Sequence, residues 1–308
     1  INASTPLEAG PLMSGEYAAD AILCIGSLGA TGANGVGKLL VGEYNPSGRT
    51  TDIWPADFTA DPTFNNFGGK QYVDVSGYYT KNFNPTASDG TAYFVEYKEG
   101  VYMGYRYYET AAAEAEAGNY AGFDYDSAVV FPFGYGLSYT TFEYSNLRLG
   151  AEKLGTDGTL EVSVDVTNTG KFGAKEIVQL YVASAHDGVS RPVQELKGFE
   201  KVYVAPGKTE TVTMALDRRA FCYFNTDIHD WYAEDGAYEI RIGASSRDIR
   251  LTAKVELTGA KPLPVRVTAD TTIGDLMRIP GADKLMAQVM GAMGGAFGGG
   301  DTPDLGEG

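Results

Sequence analysis

Apolar and polar residues alternate through much of the second half of the chain. Across 160–166, Leu160, Val162, Val164 and Val166 alternate with Glu161, Ser163 and Asp165. A period of two marks a strand with one buried face. The signal recurs at 178–182, 202–204, 212–216, 238–242 and 249–253, after a first strand at 144–149. About seven short strands divided by turn residues predict an immunoglobulin-like β-sandwich over 143–257. Asn168-Thr169-Gly170 and Pro206-Gly207 supply turns, the second of type II. Trp231 is expected to plug the sandwich. Tyr181 and Tyr203 stand isolated, so alternation shows no aromatic row for a carbohydrate, and nothing in this module looks catalytic.

The first 130 residues read as α/β with long loops. Ala21-Ile22-Leu23-Cys24-Ile25 predicts a short strand buried on both faces. A Gly-rich turn from Gly29 then leads into a helix ending near Gly42. Its glycines follow neither phosphate-loop order, G-x-x-x-x-G-K-S/T or G-x-G-x-x-G, which argues against a nucleotide site. Asn45-Pro46-Ser47-Gly48-Arg49 is a turn by composition.

Residues 53–94 are aromatic and weakly patterned, and a long irregular stretch inside a compact domain is usually functional. Aromatic rings stack on sugar faces and Asn side chains bond hydroxyls in pairs. Phe64, Asn65, Asn66 and Phe67 are therefore the substrate-loop candidates, against an alternative in which these aromatics wrap a domain interface. Residues 110–127 read as a solvated loop or a short helix. Phe131, Phe133, Tyr135, Tyr139 and Phe142, punctuated by Pro132, Gly134 and Gly136, make 131–142 a connector packed between domains. The tail, 258–308, predicts a helix from Ile273 capped by Thr271 or Thr272, a second over 283–293, and a Gly-rich flexible end.

Composition narrows the function classes. The 308 residues hold 24 basic and 40 acidic side chains, a formal charge of −16. Such a surface repels phosphate backbones and argues against nucleic-acid binding. Only two histidines occur, His186 and His229, and neither sits in a metal-ligand spacing, so neither a His-based metal site nor a Ser-His-Asp triad is expected. No cofactor is implied. Cys24 and Cys222 lie in apolar stretches and are expected to be buried thiols. Two cysteines make no disulfide framework, which leans towards a cytoplasmic setting. No apolar run is long enough to span a membrane.

Several stretches resemble glycoside hydrolase family 3 in the same order. They are GEYNPSGRTTD (42–52), VEYKEGVYMGYRYYE (95–109), FPFGYGLSYTTFEYSNL (131–147), LKGFEKV (196–202) and GASSRDIR (243–250). The resemblance covers roughly residues 1–257. It implies an α/β plus all-β fold: the C-terminal part of an (α/β)6 sandwich over 1–130, then an immunoglobulin/fibronectin III-like β-sandwich. It also implies that Arg49 is structural and that the charges of 96–109 pair internally.

The NPSGRT–NNFG run looks most like the permuted-order group of the family, in which a barrel follows the β-sandwich. By resemblance the activity is that of a retaining exo-acting β-glycosidase of β-glucosidase type. Its aspartate nucleophile sits on a (β/α)8 barrel and its acid/base glutamate in the α/β sandwich, with the carboxyls about 5–5.5 Å apart. Neither has a counterpart here, so no catalytic residue is expected on this chain. Ile1 falls inside what reads as a strand, which suggests a processed product or a fragment. Two hypotheses follow. One is a non-catalytic part of a β-glycosidase, partnered by a second polypeptide or segment carrying the barrel and the front of the sandwich, possible as a homo-oligomer, with a carbohydrate substrate. The other is a stand-alone carbohydrate- or protein-binding module.

Overall fold

The computed structural model describes residues 1–66, 70, 94–155, 157–185, 189–264 and scattered positions from 267 to 288. The chain divides into two compact units, the first holding 1–224 with 231–260 and the second 225–230 with 261–308.

The opening of the first unit is sparse in regular structure. A single turn, α1 (Gly10–Met13), is followed by α2 (Ala33–Leu40), as the Gly-rich run predicts, and Gly42 ends it with φ 75°. The expected strand at 21–25 does not form. Ile1 bonds Leu23 and Ile25 through its backbone, but Ile22, Leu23 and Ile25 are only partly buried, and Cys24 is exposed rather than buried. A strand buried on both faces needs a covering layer on each, and the described residues cover this run only in part.

Beyond this lies a small core. Strand β1 (Trp54–Pro55) pairs antiparallel with β2 (Val129–Phe131). Helix α3 (Tyr105–Glu116) and the turn α4 (Tyr125–Ala128) close over them. Tyr108, Ala112 and Tyr125 pack with Ile53 and Val129. The run 110–127, read as a solvated loop or a short helix, forms the end of α3 and an exposed loop after it, and it also buries Ala111, Ala112 and Tyr125. Ala111 and Ala112 are good helix formers with little to solvate, and they face inward.

The β-sandwich has eight main strands. They are β3 (Phe142–Leu149), β4 (Lys153–Gly155), β5 (Leu160–Asn168), β6 (Ala174–Ser184), β7 (Glu195–Val204), β8 (Thr209–Leu216), β11 (Gly236–Gly243) and β12 (Ile249–Thr258). One sheet runs β3-β5-β8, the other β4-β12-β11-β6-β7. Leu160, Val162, Val164 and Val166 are fully buried, as their alternation requires. Gly207 has φ 68° and Lys208 N–H donates to Ala205 C=O, which suits the type II turn.

Strand β6 departs from alternation, because both its faces are covered. Val178, Leu180 and Val182 enter the core between the sheets, while Gln179 and Tyr181 are buried on the other side. Trp231 does not plug the sandwich. It lies in a hairpin of β9 (Tyr223–Asn225) and β10 (Asp230–Tyr232), 38% exposed, edge-on to Phe224 at 5.4 Å. Phe221 and Tyr238 fill the core instead. Cys222 is buried, as expected.

The connector holds the small core to the sandwich. Phe133 stacks on Tyr105 at 4.5 Å, and Phe131 on Tyr135 at 5.3 Å. Thr50 clamps the bend: its hydroxyl donates to Pro132 C=O, and its backbone bonds both Gly134 N–H and Tyr135 C=O. Arg49 then reaches Glu176 of β6, 2.8 Å away, with both side chains buried. Gly134 has φ 78°, and a Cβ there would collide with the Gln179 amide. That amide donates to Gly134 C=O at 3.0 Å and Ala244 C=O at 2.7 Å.

In the second unit, Leu276 N–H donates to Thr272 C=O, one turn of the kind the Thr cap predicts. The expected helix at 283–293 lies largely outside the described residues.

Two stability predictions follow from the connector. Arg49→Ala or Glu176→Ala leaves a buried charge unpaired and should cost about 3–5 kcal/mol in denaturant unfolding, while Arg49→Met with Glu176→Leu together should recover most of it. Gly134→Ala should cost more than about 1 kcal/mol, because φ is positive and the space is filled. Gly155→Ala, where an added methyl meets nothing, should change stability by less than about 0.5 kcal/mol.

Candidate functional site

The four substrate-loop candidates are split by the structure. Asp61 accepts from Thr63 N–H at 2.9 Å and turns the chain into one 3-10 turn, Phe64–Asn66. Phe64 is half-exposed and Asn65 exposed. Asn66 is buried, with its Nδ2 donating to Glu99 Oε2 and its Oδ1 without a partner among the described residues. Phe67 lies outside the described residues. The two asparagines therefore do not present a matched pair to one ligand.

Beside Asn66 opens a cleft of about 370 Å³. Its walls come from the 97–103 turn, from α3 and from the loop after α3. They include Lys98, Glu99, Tyr102, Tyr107, Glu114 and Tyr120. The Tyr107 and Tyr120 hydroxyls are 3.3 Å apart, and either can donate. Burial, then the hydrogen bond with Tyr120, pushes the Tyr107 phenol up to about 12. Glu114 accepts from Asn119 at 2.8 Å, and Lys98 lies 3.4 Å from Glu96. No periodicity joins these residues, which is why sequence reasoning missed them.

A second polar node ties α3 to the sandwich. Glu109 is 4% exposed. Its Oε1 accepts from Tyr125 OH at 2.8 Å and from Ser246 Oγ at 2.7 Å, and its Oε2 lies 3.6 Å from Arg247. Arg247 stacks over the Tyr125 ring and also reaches Glu116 at 3.5 Å. Arg106 pairs with Glu195 at 3.4 Å, and Leu196 N–H donates to Tyr105 OH. The charges of 96–109 thus pair partly within the stretch, Glu96 with Lys98, partly with Lys70 upstream, and partly across to the sandwich. In the Asn66–Glu99 contact and in the Glu109 node each carboxylate is held by neighbouring donors.

Comparison with known proteins decides the family. A fibronectin type III-like domain model matches residues 176–246. Thermostable beta-glucosidase B of Acetivibrio thermocellus is 40% identical over 253 residues, covering 82% of this chain and 28% of that protein. Exo-alpha-(1->6)-L-arabinopyranosidase of Bifidobacterium breve is 38% identical, covering 86% of this chain and 30% of that protein. The solved GH3 beta-glucosidase of Bifidobacterium adolescentis superposes with a TM-score of 0.63 at 34% identity, over 83% of this chain and 32% of that one. The chain belongs to glycoside hydrolase family 3.

This family 3 chain spans less than a third of the length of the curated relatives named above. The match falls in the C-terminal part of family 3 proteins, which lends no support to the expected permuted order. Arg49, expected to be structural, is the buried partner of Glu176. Among the described residues no group of three His, Cys, Asp or Glu side chains is placed to hold a metal ion. No described helix is long and apolar enough to cross a membrane.

The Glu109 node makes stability depend on pH. Burial holds this carboxyl above its ordinary value of 4.5, against the lowering effects of Ser246, Tyr125 and Arg247. The folded chain therefore keeps the proton at pH values where the unfolded chain has released it. More protons on the folded state mean that stability falls as pH rises from the ordinary carboxylate range through the raised value. Glu109→Gln keeps an oxygen for Tyr125 and Ser246 but cannot titrate. Its unfolding free energy, measured across that window, should show a shallower fall with pH; an unchanged slope would remove Glu109 from this role.

Proposed function

We propose that this chain is a non-catalytic part of a retaining, exo-acting β-glycosidase of β-glucosidase type. The reading rests on one observation: 40% identity over 253 residues to a protein named as a β-glucosidase, of which the chain spans 28%. The aspartate nucleophile and the acid/base glutamate then belong to residues outside this chain, on a (β/α)8 barrel and on the front of the α/β sandwich. Residues 1–130 are the C-terminal part of that sandwich, 131–142 the packed connector, 143–257 the fibronectin III-like domain and 258–308 the tail. Phe64, Asn65, Asn66 and Phe67 stay as substrate-loop candidates, with Phe64 and Asn65 the exposed pair.

The relatives include an arabinopyranosidase as well as β-glucosidases, so the terminal sugar is a matter for assay. The sandwich serves this function as a brace: through Arg49–Glu176 and Glu109–Ser246 it holds the connector and α3 in place.

The test is hydrolysis of a panel of aryl glycosides by the chain alone and by the chain combined with a polypeptide carrying the barrel and the front of the sandwich. The chain alone should be inactive and the combination active, with both polypeptides in one species by native mass spectrometry. Hydrolysis by the chain alone would place catalytic carboxyls on it and overturn the reading. An assembled but inactive combination across the panel would overturn the glycosidase assignment.

A further inference from the structure

We propose that Arg106, Arg191 and Lys197, gathered around the Glu195 carboxylate, bind a phosphate-class oxyanion where α3 meets β7. Arg106 and Arg191 lie 3.4 and 3.8 Å from Glu195, and Lys197 lies 3.2 Å from it. Among the described residues no other carboxylate comes within 4.0 Å of any of the three. The cluster therefore holds an excess of two positive charges, in a chain whose formal charge is −16. It is also withdrawn from water: the Arg191, Lys197 and Glu195 side chains are 9%, 16% and 17% exposed. Burial strips a cation of its hydration, so a buried cation needs a counter-charge. Glu195 balances one of the three, and a doubly charged oxyanion balances the other two.

The fold aims these side chains. Leu196 pairs with Tyr181 and Gly198 with Leu180, so Lys197 is the extra residue of a β-bulge in β7. A bulge redirects the side chain it inserts. Leu196 N–H donates to Tyr105 OH and Val193 N–H to Thr110 Oγ1, which ties this stretch to the helix that carries Arg106. Both terminal nitrogens of Arg191 donate to Phe221 C=O, so Arg191 is fixed and supplies charge from behind. Glu195 takes one of the three ammonium donors of Lys197, and Arg106, 36% exposed, opens the cluster to solvent. Guanidinium and ammonium donors side by side suit an oxyanion with several acceptor oxygens. Burial lowers the Lys197 ammonium from its ordinary 10.5, and Arg191 and Arg106 add to that effect. A bound anion relieves both.

The test is isothermal titration of the 308-residue chain with inorganic phosphate near neutral pH, with ionic strength held constant by chloride. Saturable binding at a single site is expected. Arg106→Gln and Lys197→Met should each weaken it about tenfold. Arg106 is the more exposed of the two, so its variant carries the test if Lys197→Met does not fold. Lys38→Met removes a cation paired with Glu43 on α2, outside the cluster, and should leave the affinity unchanged. Absence of saturable phosphate binding overturns the proposal. So does full affinity in both cluster variants, which puts the phosphate elsewhere. An equal loss in Lys38→Met means diffuse attraction to surface cations and overturns it as well. Acetate binding in place of phosphate means that the cluster takes a lone carboxylate, such as one from another segment of the protein, and overturns the phosphate-class assignment.

Discussion

Arg49 and Glu176 are 127 residues apart in the chain, and each is buried against the other. A buried guanidinium or carboxylate without its partner is far costlier than the pair. The contact therefore cannot be half made. It forms only when the NPSGR turn, the 131–142 connector and the β6 end of the sandwich are all in place. Thr50, the next residue, turns that single contact into a clamp through its bonds to Pro132, Gly134 and Tyr135. The Tyr144 hydroxyl adds a bond to Glu176 at 3.3 Å, which brings the opposite sheet into the same network.

Helix α3 is the second place where the parts meet, and it works on two sides. One side puts Tyr105, Arg106, Glu109 and Thr110 against the sandwich through Leu196, Glu195, Ser246 and Val193. The other puts Tyr107 and Glu114 into the tyrosine cleft. A surface feature carried on a helix so anchored is held by the core and not by loop packing. Buried polar contacts also explain why β6 breaks its alternation: Gln179 and Tyr181 are covered by the connector and Tyr105, and they satisfy one another at 2.6 Å.

The candidate site was only partly legible. The FNNF run was conspicuous because aromatic and amide residues stood together, yet its second asparagine is spent on Glu99 inside the protein. The residues that do share a cleft are spread from Lys98 to Tyr120 over a turn, a helix and a loop. Adjacency in a sequence measures neither burial nor the direction of a side chain, so composition singled out the FNNF run and not the residues that line the cleft beside it. The charged stretch 96–109 was read as self-paired. Half of its pairing reaches residues of the sandwich, roughly ninety to one hundred and forty positions away, beyond any local rule.

The β-sandwich was determined by sequence alone, because period-two alternation is a local consequence of pleated backbone with one buried face. Helix α2 and the type II turn at Pro206-Gly207 were local in the same sense. Family membership too was carried by short runs whose residues stand in order. Tertiary structure alone decided the rest. Ala21–Ile25 is apolar enough for a buried strand, but burial needs neighbours, and Cys24 is left in solvent. Trp231 is large enough to plug a core, but Phe221 and Tyr238 occupy it. A residue's hydrophobicity states what burial would be worth; whether space exists to bury it depends on every other residue at once.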